Sequence, residues 1–555
     1  MNSRLCSTVL FILFFLLQFK PTNGLDSLTV HNETYYTGFS PLDSLNSFAN
    51  LTKSIDNVLV KHSKYLNKTN YGIAVYSINQ DKWYYRNKSK SLLTPASTTK
   101  LFTTYCILRQ TETNPYVSTA VYHDGSISLD GVLTGNLYIR GGGDAMFSTS
   151  DLEELADKVK KAGIKKIKGK IIADGTFYDE KTERIVYSGD RDVVQATPPI
   201  TSLNIDRNTA TIIVSAGKGA QAPSVYVTPS SDSYTIINNA KIRNTAGKSS
   251  KRRKGRGSYR IDDEIINDIS PNENLRYGDF ALAAAGQRSK IRITTKLLSD
   301  GKQQFVVSGT INSNSTYTYR HLILNPPLTI AGAFKSRLKA GGITVNEDID
   351  VLSREKGDSL VNIYKFVCDF KRPLNDIINI VNKESDNYLA EILFKMIGAN
   401  SGAYHDNAPA SRKIIDSIIN VDGIECDECK LNDGSGLSRR NLTSVEALVG
   451  LLVSAGKFSF YETYKNSMSL ASVDGTLKKR FKSTAAESNL RGKTGTLRNV
   501  SALAGYVDTM DGEELAFAFV FNGPNIGVYK QIENELGQIL SEYYIQEVTP
   551  EMWNK

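Results

Sequence analysis

Apolar side chains recur at helical spacing at Leu101, Tyr105 and Leu108, with Phe102 beside them, so the segment after Pro95 reads as a helix buried along one face. Ahead of it, past a polar leader, Tyr71–Ile78 and Lys82–Tyr85 read as a hairpin turning near Asn79–Asp81. From Val117 the pattern changes to short strands broken by Asp124-Gly125, Asp130-Gly131 and Gly141-Gly142-Gly143-Asp144. Leu152, Leu155 and Val159 mark an amphipathic helix, followed by a strand through Ile171 and Ile172 to Asp174. Strand-like alternation returns between Pro198-Pro199 and Val214, and residues 222–312 are polar and β-leaning, as in a smaller nested module. Pro326–Leu338 reads as a helix closing at Gly341-Gly342. Leu374, Ile377, Ile378 and Val381 form one further helical stripe and Tyr388–Ile397 another, with Ser385-Asp386-Asn387 in the joint. Ser501–Val507 and Leu515–Phe521 are apolar strands joined through Asp511-Gly512, and Lys493-Thr494-Gly495-Thr496 precedes them as an edge strand. The last third thus regains the core character of the first hundred residues, as expected of one domain split by an insertion.

Candidate chemistry sharpens this picture. Pro95 suits a helix start, because its missing N–H is one the first turn cannot pair. Ser97 then lies in the first turn, where free N–H groups and the helix dipole favour negative charge. Lys100, three residues on, shares its face, and a desolvated lysine can take a serine's proton. Ser-x-x-Lys alone means little, since it recurs, for example, at Ser215/Lys218 and Ser454/Lys457. Ser385-Asp386-Asn387 and Lys493-Thr494-Gly495 each occur once. The five histidines lie near none of these motifs, so a Ser-His-Asp hydrolase gains no support.

Length and charge add compartment and partners. The 555 residues exceed one ordinary core. Met1–Gly24 reads as a secretory signal, with Arg4 as its positive start, Val9–Leu17 as its apolar core and cleavage near Gly24. Cys6 precedes that core, against a lipoprotein anchor, and no later stretch reads as transmembrane. Without the leader the formal charge of +9 falls by two, because Arg4 and Lys20 leave and no acid does. Much of the excess sits in the run 248–256, which in an exported chain reads as a solvated loop or an attraction to an anionic envelope, not a nucleic-acid site. Cys106 reads as a buried small hydrophobe. Cys426 and Cys429 could close a local disulfide outside the cytoplasm, and with no histidine nearby they make a poor zinc site.

Together the three motifs resemble the signature of penicillin-binding proteins and class A β-lactamases. The large insertion between the first two motifs is the mark of class C low-molecular-mass penicillin-binding proteins, the serine D-alanyl-D-alanine carboxypeptidase/endopeptidase family. That resemblance includes Gly141-Gly142-Gly143-Asp144, Asp174-Gly175-Thr176-Phe177, Pro198-Pro199, Asn325-Pro326-Pro327-Leu328 and Asp433-Gly434-Ser435-Gly436-Leu437-Ser438-Arg439. It implies an α/β (α+β) fold, with helices packed on an antiparallel sheet, formed by residues 25–110 and 356–555 and split by a β-rich insertion over 111–355. It further implies that Ser97 attacks the carbonyl between two D-alanines with Lys100 as base. Ser385 relays a proton to the leaving amine, Asn387 holds the substrate amide and Lys100, and Lys493 supplies positive charge. Thr494, Gly495 and Thr496 form a substrate-binding edge, and the N–H groups of Ser97 and Thr496 an oxyanion hole. Asp386 is structural. Asp174, Phe177 and Arg439 match positions that shape a pocket for the charged end of the stem-peptide side chain, although Asp174 also suits a turn cap and Arg498 departs from neutral counterparts in the family. The expected enzyme needs no cofactor or metal, acts on peptidoglycan stem peptides in the periplasm or outside the cell, and is blocked covalently by β-lactams. A β-lactamase and a wall-binding scaffold are the alternatives.

Overall fold

Strands Val500–Asp508 and Glu514–Asn522 are apolar on both sides, and the computed structural model buries them at the centre of a six-stranded sheet. The structure describes residues 41–191, 195, 197–217, 219–243, 290–353, 364–403 and 405–544, so the secretory signal over 1–24 and the basic run 248–256 lie outside the described residues. The sheet order is Ser469–Leu470, Arg491–Leu497, Val500–Asp508, Glu514–Asn522, Asn70–Ser77, Lys82–Asn87, antiparallel throughout. The two ends of the chain therefore meet in one sheet, with Ile73 opposite Phe519 and Val75 opposite Phe517.

Strand alternation sorts side chains by size. Ala502, Ala504, Ala516 and Ala518 face a layer of helices that includes Thr99–Thr111, Leu374–Lys383, Asn387–Asn400 and Val445–Ala455. Their small side chains let those helices approach closely. Leu503, Leu515, Phe517, Phe519 and Phe521 fill the opposite face, against helices Pro41–Lys61 and Ile526–Glu542. Cutting one such phenylalanine to alanine costs about 3–5 kcal/mol.

Three expectations need correction. The leader before Tyr71 carries a helix, Pro41–Lys61, whose Leu51, Ile55, Val58 and Leu59 are buried. The helix Thr99–Thr111 is buried around its whole circumference from Thr99 to Leu108, not along one face. Its hydroxyls permit this: Thr103 donates to the Gly434 carbonyl at 3.0 Å and Thr104 to that of Lys100 at 2.8 Å. Arg491–Leu497 is not the outermost strand, because Ser469–Leu470 pairs with it at Arg491 and Gly492.

The insertion has its own core. A five-stranded sheet runs Ile349–Val351, Ile171–Asp174, Leu137–Gly141, Tyr116–His123, Lys365–Pro373, covered by helices Thr149–Lys161 and Pro326–Ala340. Its last strand lies beyond the boundary at 355 read from sequence, so the insertion's pairing extends to Pro373. Farther out, Thr209–Ala216 pairs with Ser224–Thr228 and Ser315–Leu322, and Gln303–Asn312 pairs with Tyr234–Asn238, Lys241–Arg243 and Lys290–Leu297. Arg372, on the last strand of this sheet, ties it to the insertion's own loop and covering helix, its guanidinium 2.9 Å from Asp144 and 2.6 Å from Asp151.

Candidate active site

Residues Ala96–Thr98 form a single 3-10 turn that feeds the helix from Thr99, so Ser97 precedes the α-helix proper. Ala96 sits in the left-handed region at φ 50°, a conformation costly for a residue with a Cβ. Thr99 holds it by donating to the Ala96 carbonyl at 2.8 Å. Gly436 covers the same carbonyl so closely that a Cβ there would stand 2.0 Å from it. On the opposite side a Cβ at Gly495 would meet the Pro95 carbonyl at 2.7 Å. The serine turn is thus wedged between the Asp433–Ser438 loop and the Lys-Thr-Gly strand, and only glycine fits at either contact.

Lys100 is fully buried, and its Nζ faces three neutral oxygens: Ser97 Oγ at 3.0 Å, Asn387 Oδ1 at 2.7 Å and the Ser435 carbonyl at 2.5 Å. Burial lowers its pKa to about 8, against an upward pull from Asp433, Glu391 and Asp386. Asn387 opens the helix Asn387–Asn400, and its amide donates to Gln195 of the insertion. Asp386 caps that helix, accepting from the Leu389 N–H at 2.9 Å, and pairs with Arg207. Ser385, at φ 59°, makes the joint itself. It accepts from Lys493 Nζ at 2.8 Å, and Lys493 also donates to the Thr494 carbonyl at 2.9 Å. Lys493 is fully buried, and burial together with the charge of Lys100 holds its pKa well below the usual value. Thr494 donates to Thr476 at 2.8 Å, and Thr496 is exposed at the strand edge.

The three motifs therefore meet around one serine. The three pocket residues stand differently. Asp174 is buried, accepts from the Thr176 N–H and hydroxyl at 3.0 and 2.6 Å, and lies 3.6 Å from Arg140. Phe177 stacks on Tyr178, ring centroids 5.4 Å apart, and Arg439 is exposed, donating to the Arg498 carbonyl at 3.2 Å.

Sequence reasoning assigned nothing to a buried acidic pair behind Lys100. Asp433 accepts from the Gly436 and Ser438 N–H groups at 2.9 and 2.8 Å and pairs with Arg184 of the insertion at 2.9 Å. Glu391, one helical turn beyond Asn387, accepts from the Ser435 N–H at 2.8 Å and from the Tyr187 hydroxyl at 2.9 Å. A glutamate and a lysine four residues apart, Glu391 and Lys395, inside the mostly apolar run Tyr388–Ile397 were the signal available.

A family model described as the D-Ala-D-Ala carboxypeptidase 3 (S13) family matches residues 51–262 and 275–543. The chain belongs to this family. It is 26% identical over 492 residues to a D-alanyl-D-alanine carboxypeptidase of Actinomadura sp. (strain R39), covering 85% of this chain and 81% of that one. It is 24% identical over 490 residues to D-alanyl-D-alanine carboxypeptidase DacB of Haemophilus influenzae, covering 87% and 91%. The crystal structure of penicillin binding protein 4 (dacB) from Haemophilus influenzae superposes with a TM-score of 0.62 at 20% identity, covering 87% of this chain and 99% of that one. The family is that of serine D-Ala-D-Ala peptidases, so the chain is an enzyme of this class, with the penicillin-binding fold and its β-rich insertion. Among the described residues no helix is long and apolar enough to cross a membrane.

Proposed function

We propose that Ser97 is the acylated nucleophile of an exported D-Ala-D-Ala carboxypeptidase that also opens peptide cross-links of peptidoglycan. The observation that carries this is Lys100, buried among neutral oxygens only and 3.0 Å from Ser97 Oγ. An amine whose pKa burial lowers to about 8 has a neutral minority at physiological pH, far larger than an ordinary lysine has, and that form can accept the serine proton. Ser97 Oγ then bonds to the carbonyl carbon of the penultimate D-alanine. The N–H groups of Ser97 and Thr496 receive the oxyanion. The carbon–nitrogen bond breaks as the proton taken up by Lys100 is relayed through Ser385, polarised by Lys493, to the departing amine, which leaves Lys100 neutral again. Water next hydrolyses the ester and restores Ser97. Asn387 holds the substrate amide beside Lys100, while Thr494, Thr496 and the charge of Lys493 receive the terminal carboxylate on the Gly495 edge.

Arg439, exposed beside the Lys-Thr-Gly strand, offers a cation to a carboxylate on the stem-peptide side chain, with Phe177 as an apolar wall. Asp174 contributes through Arg140 and the Thr176 turn, since both already occupy its carboxylate. Export is supported by the leader over 1–24 and by the disulfide between Cys426 and Cys429, which fits the periplasm or the cell exterior. A β-lactam, whose opened ring stays tethered, should persist as an ester on Ser97. Mass spectrometry after penicillin treatment tests this: one stable adduct on the Ser97 peptide, absent in Ser97→Ala, is expected. Rapid penicillin turnover without an adduct would overturn it in favour of a β-lactamase.

A further inference from the structure

Helix Asn387–Asn400 is apolar along most of its length, yet polar side chains recur on it at Asn387, Glu391 and Lys395. Four-residue spacing sets them on one side of the helix. Asn387 accepts from Lys100, and Lys395 pairs with Asp179 of the insertion at 2.6 Å. Glu391 lies between them, fully buried, and the donors facing its carboxylate are neutral: the N–H groups of Ser435 and Gly434, at 2.8 and 3.3 Å, and the Tyr187 hydroxyl at 2.9 Å.

Those contacts bear on the base. The peptide unit joining Gly434 to Ser435 is gripped at both ends, its carbonyl by Thr103 at 3.0 Å and its N–H by Glu391. The next unit is gripped likewise, its N–H by Asp433 at 2.9 Å, while its carbonyl, that of Ser435, accepts from Lys100 at 2.5 Å. A planar trans peptide points its N–H and carbonyl in opposite directions, so carboxylates on one side aim carbonyls to the other. Gly434 allows this approach: a Cβ there would stand 2.5 Å from the Ala390 carbonyl. We propose that Glu391 is a positioning residue for Lys100, fixing the loop whose Ser435 carbonyl locates the lysine Nζ, and that Tyr187 of the insertion holds the Glu391 carboxylate in that role. The insertion thereby reaches the base as well as the substrate pocket. This rests on the reading of Lys100 as the base.

The groups facing Glu391 are Asp433, Tyr187, Arg184, Arg412 and Lys100, with Arg184 paired to Asp433 and Lys395 over the Tyr187 ring, 5.8 Å from its centroid. Those facing Lys100 are Glu391, Asp433, Asp386 and Lys493. Burial and Asp433 push the Glu391 carboxyl up to about 7, while the Ser435 and Tyr187 contacts favour its charged form. The charged form in turn raises Lys100. Replacing it by a neutral isostere should do two things at once: weaken the hold on the loop, and let Lys100 lose its proton at lower pH.

The test is the second-order rate of penicillin acylation across pH, measured on the full chain, Glu391→Gln, Tyr187→Phe and Lys100→Ala. Glu391→Gln should lower the plateau rate roughly ten- to a hundredfold and move the acid limb down by about half a pH unit. Tyr187→Phe keeps the carboxylate but removes one donor, so both effects should recur with the same sign and smaller size. It carries the test if Glu391→Gln does not fold. A wild-type rate in both variants, or lower rates with unmoved limbs, would overturn the proposal. If Lys100→Ala still acylates at the wild-type rate, the base reading itself falls. If Lys100→Ala is inert while Glu391→Gln and Tyr187→Phe behave as wild type, only the positioning role falls.

Discussion

Lys100 and Lys395 are both fully buried and both touch groups on or beside the helix Asn387–Asn400, but their surroundings have opposite chemistry. Lys395 meets Asp179 at 2.6 Å, and the carbonyls of Asp179 and Lys181 at 3.3 and 3.1 Å accept from it as well. The contacts of Lys100 are a hydroxyl, an amide oxygen and a backbone carbonyl, with the nearby carboxylates held off by other donors. The first arrangement ties the insertion to the helical layer. The second leaves an ammonium without a counter-charge in contact, so burial favours the neutral amine. Whether its nearest oxygen is charged therefore separates a buried lysine that fastens from one suited to the base role proposed for Lys100.

The largest expected effect tests the chemical half of that contrast. Lys100→Ala should slow penicillin acylation by about 10²–10⁴-fold, the usual range for a lost general base, in a stopped-flow or gel-labelling assay. In the wild-type protein the same rate should rise with pH through an acid limb near 8, where Lys100 loses its proton. A flat profile between neutral and alkaline pH would break the comparison.

Lys395→Ala should act on stability instead. It strands a buried aspartate and should cost about 3–5 kcal/mol in urea unfolding, with the acylation rate of the remaining folded protein little changed. A large rate loss in that folded fraction would mean that the two lysines do not divide the work.

Lys100→Met sharpens the contrast by reversing its sign. Lowering a lysine pKa from 10.5 to about 8 by burial makes the folded state poorer at holding the proton. Between those values the unfolded chain binds more protons, so stability rises with pH through the window, and the full penalty is present below about 8. The methionine variant should thus be about 1–3 kcal/mol more stable at neutral pH, with its advantage shrinking as pH climbs toward 10.5. A destabilised variant would show that Lys100 also fastens the fold.

The smallest effect belongs to an exposed pair. Lys61 lies 2.9 Å from Glu535 with most of its side chain in solvent, and Lys61→Ala should leave the thermal midpoint within experimental scatter.

Much of this contrast was hidden in the sequence. Ser97, Lys100, Ser385, Asn387 and Lys493 announce themselves because local spacing and a recurring motif describe them. Strands 500–508 and 514–522, and the helix at 374–383, are likewise legible from short-range periodicity. The helix at 41–61 is masked by polar residues, and only its partner, Ile526–Glu542, makes Leu51 and Ile55 a buried stripe. The boundary at 355 differs from the sheet for a similar reason: Lys365–Pro373 pairs with Tyr116–His123 across some 240 residues, and nothing local announces a long-range partner.

By itself the sequence determined the reactive groups and the elements that carry them, because hydroxyl, amine and amide chemistry and the 3.6- and two-residue periods are local properties. It also supplied the glycines that the docked Asp433–Ser438 loop uses, Gly436 against the serine turn and Gly434 against the Ala390 carbonyl. The tertiary structure decided which buried lysine is left without a carboxylate in contact. That depends on whether a carboxylate stands in contact or a few ångströms away, behind a backbone N–H. Asp179, Glu391, Asp433, Tyr187 and Arg184 reach their positions only when the insertion docks on the helical layer. The field at Lys100 is a sum over charges brought together by folding, and no stretch of chain contains it.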